Sequence, residues 1–144
     1  MINSVTKIIN YLTGKPKILF LIDSLGAMLT AFFLLLILRN FNEYFGMPET
    51  ILTYLAGITL CLCVYSICCF FFLTNYWSSF IYGIVVANLL YCVVTMALLI
   101  IYNAQLTIIG TIYFLLEIAI ILGIVYVEFN VAKTIKKSRT AGRY

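Results

Sequence analysis

Two carboxylic acids sit where the chain is otherwise apolar: Asp23 in "FLIDSLGAML" and Glu117 in "YFLLEIAIIL". An acid inside a membrane-crossing helix costs about 2.5–3.5 kcal/mol on insertion scales, so it needs a partner or a purpose. The apolar runs around both contain no lysine or arginine that could neutralise them. Three chemistries remain open. An acid can be held neutral, Asp23 and Glu117 can share one proton as close carboxyl pairs do, or a cation can bind between them. Ser66, Asn88 and Tyr91 have hydroxyls and an amide at similar depth, and Tyr65, Thr95 and Tyr113 can add hydrogen bonds in each case. The functional expectation is a proton or cation route; the plainer one is an internal hydrogen-bonded pin that fixes helix register. Asp23, being shallow, can also face headgroups or water. Glu128, nearer the end of its run, reads as an interfacial charge.

The elements that must position these residues follow from composition. The 144-residue chain is 65% hydrophobic and 10% charged, against about 25% charged in soluble domains. Lipid is therefore the expected solvent, and the length suits one domain. About 20 apolar residues cross a membrane. Four stretches qualify, at about 18–38, 51–73, 80–102 and 106–129. Continuous apolar runs disfavour a β-barrel, and short connections predict an antiparallel up-down four-helix bundle. The first run is too long for a signal peptide's apolar region, and no small-residue cleavage site follows it, so it reads as a retained span.

Helix rise puts Asp23, Ser66 and Asn88 about 8–12 Å from one end of their spans, and Glu117 about 13 Å from the same face. Four polar side chains from four spans are thus expected in one slab. Shared faces support this: Asp23, Gly26, Ala27 and Thr30 on the first span; Asn88, Tyr91 and Thr95 on the third; Gly110, Tyr113 and Glu117 on the fourth. The second span offers two stripes, Thr59–Cys63–Ser66 and Gly57–Cys61–Tyr65–Cys68. Small-residue pairs, Ala27–Ala31, Gly83–Ala87 and Ala119–Gly123, would allow close helix approach.

Charge placement sets direction. Lys7, Lys15 and Lys17 precede the first run; Lys133, Lys136, Lys137, Arg139 and Arg143 follow the last; Arg39 alone lies between. Both termini are then expected on the cytoplasmic side. A bias toward Ile, Tyr, Phe, Asn and Lys suits an AT-rich bacterial genome, hence a bacterial cytoplasmic membrane. Ile2, Val5, Ile8, Ile9 and Leu12 recur at helical spacing, which predicts an amphipathic interfacial helix over 1–14. "GKPK" then turns the chain into the bilayer, Pro48 opens the second span, and 133–144 forms a basic tail.

The five cysteines, Cys61, Cys63, Cys68, Cys69 and Cys92, lie in apolar runs and are odd in number, which argues against a disulfide framework. With no histidine in the chain, haem and metal ligation are disfavoured. Cys61 and Cys63, two apart on a helix, point to opposite sides. No cofactor is expected, and HExxH, GxxxxGK and CxxCH are missing from the sequence. In size and in its first-span acid the chain resembles the small four-helix multidrug exporters, but those place a glutamate, within another pattern, where Asp23 stands.

The first functional expectation is a non-enzymatic accessory, assembly or oligomeric membrane component, with the bilayer and a second copy or partner membrane protein as its contacts and no nucleic acid. The alternative is a small proton- or cation-coupled transporter or channel built on Asp23, Ser66, Asn88, Tyr91 and Glu117. A lipid-modifying enzyme with Asp23 or Glu117 as acid or base ranks third.

Overall fold

The computed structural model describes residues 2–38 and 40–141. Arg39, Arg143 and the last residues of the basic tail lie outside them, as do the side chains of Ile2, Val5 and Arg139. Every element is helical, and no strand occurs among the described residues. The order is α1 (Ile2–Gly14), α2 (Pro16–Phe32), a π-helical continuation (Phe33–Leu38), α3 (Asn42–Phe45), α4 (Glu49–Phe72), α5 (Trp77–Ile101) and α6 (Ile108–Ala141). Four of these helices are long and apolar enough to cross a membrane.

Local sequence explains the boundaries. Pro16 occupies the first turn of α2, where its missing N–H costs nothing. Pro48 is the residue just before α4 rather than its first helical residue. Tyr76 enters α5 with a left-handed backbone at φ 61°. No proline interrupts any of the four long helices after its first turn. The expected first span, regular to residue 38, instead changes to π-helix at Phe33. Such wide turns often occur beside functional sites, and Phe33 does border the cavity described below.

Around the loop before α4, Gly46 adopts φ +75°, and a Cβ there would run into the Gln105 carbonyl. Thr107 Oγ1 donates to the Tyr44 carbonyl at 2.6 Å, and the Thr107 N–H donates to the Phe45 carbonyl at 3.2 Å. The backbone of Phe45 packs so closely on Gly110 that no larger residue fits there. These contacts tie the 40–48 segment to the start of α6.

α2 packs chiefly on α4, and α5 on α6; α4 and α5 join the two pairs, while α2 and α6 touch only lightly. One apolar core gathers Leu34, Leu52, Leu55, Tyr91 and Phe114. A second gathers Leu12, Phe20, Ile81, Val85, Val125 and Val131 toward the other end. α1 contributes to the second core through buried Leu12 and packs on α6. α6 does not end near residue 129 as the hydropathy suggested. Its 34 residues, about 51 Å at 1.5 Å each, carry Lys133, Lys136 and Lys137 on a continued helix.

Candidate functional site

Asp23 projects from the second turn of α2 and is 5% exposed. The Ser66 hydroxyl of α4 donates to its Oδ2. The Asn88 amide of α5 donates to its Oδ1 at 2.8 Å. Three helices thus meet at one carboxylate, which takes three of the four side chains expected in one slab. Next to it the Cys63 thiol donates weakly to the Ser24 carbonyl at 3.4 Å, a further tie between α2 and α4.

Glu117 of α6 forms a separate pair. The Tyr91 hydroxyl donates to its Oε1 at 2.7 Å, and Oε2 has no hydrogen-bond partner. Thr95, one turn beyond Tyr91, is fully buried with its hydroxyl also unpartnered. Asp23 and Glu117 make no hydrogen bond to each other, so of the three chemistries left open the direct sharing of a proton has no bond to run through.

Both acids line one cavity of about 400 Å³. Gly26, Ala27 and Thr30 of α2 border it, and so do Thr59, Asn88 and Tyr113. The small residues on α2 leave the space, because a Cβ on Gly26 would come only to 3.9 Å from Ile124 Cδ1. Leu29, Leu116 and Ile120 border the cavity and are also outward-exposed. The cavity therefore opens sideways between α2 and α6, where those helices barely touch. No lysine or arginine lines it among the described residues. An apolar chamber with carboxyls, an amide and phenols on its wall can accept a cation or pass a proton between hydroxyls.

Tyr113 is half-buried against the Phe33, Phe45 and Phe114 rings and borders the cavity. Tyr65 stays apart. It is exposed, and its hydroxyl donates to the Phe80 carbonyl at 3.5 Å. Its stripe of Gly57, Cys61 and Cys68 faces outward too, whereas Thr59, Cys63 and Ser66 are buried. The second span therefore turns one of its two candidate stripes inward. Ala119 and Gly123 are exposed, so that small pair joins no helices within this chain. The described residues hold no group of three or more histidine, cysteine, aspartate or glutamate side chains arranged to bind a metal.

Glu128 corrects the sequence reading. It is 1% exposed, and neither carboxyl oxygen has a hydrogen-bond partner. The reason is the length of α6: the helix runs on past residue 128, and α1, α2 and α5 pack over that stretch. The signal was present in the spacing. Eleven residues separate Glu117 from Glu128, about three full turns, which puts both acids on one face of the helix.

Comparison with protein-family models, curated proteins and solved structures finds no match.

Proposed function

We propose that the chain is a single-domain integral protein of a bacterial cytoplasmic membrane. Its four long helices cross as an antiparallel up-down bundle with both termini cytoplasmic. α1 lies along the inner leaflet, and the basic end of α6 faces the same headgroups. Within that frame it acts without a cofactor as a small proton- or cation-coupled transporter or channel, and not as an enzyme.

One observation carries this reading: Asp23 and Glu117, each hydrogen-bonded from a neighbouring helix, border the same cavity, which opens between α2 and α6. A pin that only fixes helix register has no use for empty space beside it. In the proposed cycle a cation enters between α2 and α6 and is held at the acids. The loose α2–α6 contact is the element free to open or close around it.

The accessory or assembly role is the second reading. The exposed small residues Gly57, Ala119 and Gly123 favour it, since such positions let a second copy or partner helix approach closely in lipid.

The first reading is tested in proteoliposomes. Flux of protons or alkali cations should depend on pH and fall to the level of empty liposomes in Glu117→Gln. It should fall equally in Gly26→Leu, which keeps both acids and fills the cavity. Unchanged flux in Glu117→Gln removes the reading.

A further inference from the structure

A second cavity, of about 420 Å³, lies where α4 turns into α5 and α6 runs on past its apolar stretch. Asn75 and Tyr76 of the turn line it, with Trp77, Ser79 and Tyr82 of α5 and Lys136 of α6. The Ser78 hydroxyl donates to the Ala132 carbonyl at 3.0 Å and ties the α5 wall to the α6 wall. The volume falls within the ~300–1,000 Å³ of clefts that hold a ligand. Unlike the first cavity, this one has no carboxylate on its wall among the described residues; its charged residue is Lys136.

The surroundings carry one sign of charge. Lys17 Nζ stands 6.0 Å from the centre of the Trp77 ring, which also packs on Phe20 with centroids 6.1 Å apart. A second ammonium is therefore beside the wall. The core that holds Leu12, Leu19, Trp77 and Ile135 places α1, the start of α2 and the end of α6 at this end of the molecule. Lys7, Lys15, Lys17, Lys133, Lys136 and Lys137 on those segments are all exposed. The exposed acids Glu43 and Glu49 lie at the opposite end, in α3 and at the start of α4, and Glu128 is buried. A field of this kind gathers anions, and basic pockets between membrane helices hold phosphate headgroups.

An apolar strip leads away from the cavity along the helices. Tyr82 packs edge-on against Phe129, with ring centroids 5.8 Å apart. Val86, one turn on from Tyr82, is 55% exposed, and Tyr126, one turn back from Phe129, is 60% exposed. Phe129 lies seven residues before Lys136, on the same face of α6. A basic basin with tyrosine and tryptophan at its rim, continued by exposed apolar side chains, has the layout of a phospholipid at a membrane interface. A free phosphate would use the basin and leave the strip unused.

We propose that this cavity binds the headgroup of an anionic glycerophospholipid, with the phosphate at Lys136 and the acyl chains along Tyr82, Val86, Tyr126 and Phe129. The site rests on the membrane reading and is independent of transport. It goes beyond a general attraction of the basic end to headgroups, because one lysine in the wall sets it apart from its neighbours in the tail.

Trp77, the chain's single tryptophan, stands in the cavity wall and reports on it. The whole protein is reconstituted in phosphatidylcholine vesicles with a small share of bromine-labelled lipid, and quenching of Trp77 fluorescence is measured. Brominated phosphatidylglycerol should bind about fivefold better than brominated phosphatidylcholine, the preference one lysine at the surface supplies. Lys136→Gln should bring that preference down to near the phosphatidylcholine value. Lys137→Gln, the next residue and outside the wall, should keep most of it. Equal quenching by the two lipids overturns the site, and so does an equal loss in both variants, which would mean diffuse attraction only. Inorganic phosphate added to the vesicles should leave the preference intact; if it abolishes it, the site takes a free anion and the lipid assignment falls. Trp77 quenched by neither lipid removes the membrane reading as well. A protein that shows the preference but carries no flux loses the transporter reading alone.

Discussion

Replacing Tyr91 by phenylalanine takes one oxygen out of the protein interior and changes little else. The ring is 2% exposed and packed among Leu34, Leu55 and Phe114, so phenylalanine fills the same space. What is lost is the 2.7 Å bond to Glu117 Oε1. Glu117 Oε2 already lacks a partner, so the variant leaves a buried carboxyl with no hydrogen bond at all. Stranding a buried polar group costs about 1–3 kcal/mol in soluble proteins. Hydrogen bonds between membrane helices average about 0.6 kcal/mol with a maximum near 1.7. Tyr91→Phe should therefore cost ~1–2 kcal/mol, at the upper end of the membrane range because no second donor can take over. Reversible unfolding in mixed micelles measures this. Glu117→Leu in the Tyr91→Phe background should recover most of the loss, since removing both partners of a buried hydrogen bond is nearly neutral. If Tyr91→Phe unfolds like the unmodified protein, or if the double variant shows the two single costs simply added, the bond carries no energy and the reasoning fails.

The same unfolding assay checks the loop. Gly46→Ala should cost about 1–3 kcal/mol from backbone strain alone, because φ is +75° and the added Cβ meets the Gln105 carbonyl. Gly57→Ala and Gly123→Ala, whose added atoms meet nothing, should leave the midpoint unchanged; a large loss in either would mean that a second helix covers those faces. Ser66→Ala and Asn88→Leu each leave Asp23 with one of its two donors, so the double variant should cost more than either alone; a double variant that unfolds like the single ones would contradict this.

Hydropathy and periodicity went far here because lipid imposes long helices on any chain that crosses it. The similar depth of Asp23, Ser66 and Asn88 was legible from helix rise; that these three and not Glu117 bond to one another depends on how the helices turn, which depth does not give. The pairing of Tyr91 with Glu117 was half legible, since depth grouped Glu117 with Asp23 while the structure gives it a different donor. The cavity was not legible at all. It comes from the light α2–α6 contact, a property of how two helix pairs meet, which no single span encodes. Glu128 was misread because a hydropathy window ends where the apolar run ends, whereas α6 continues on backbone hydrogen bonds and buries its next turns under α1, α2 and α5. The π-helical turn at Phe33 left no mark in "FLLLIL", a run that fits a regular helix equally well.

The most direct test is to extract the protein gently, purify it, and reconstitute it by itself. The account predicts pH-dependent proton uptake by those liposomes and its loss in Asp23→Asn, with the variant still folded. Uptake no greater than in empty liposomes, together with a foreign membrane protein recovered in fixed ratio with the chain, would contradict it. The chain would then be an accessory subunit, and Asp23, Glu117 and Glu128 would be internal ties.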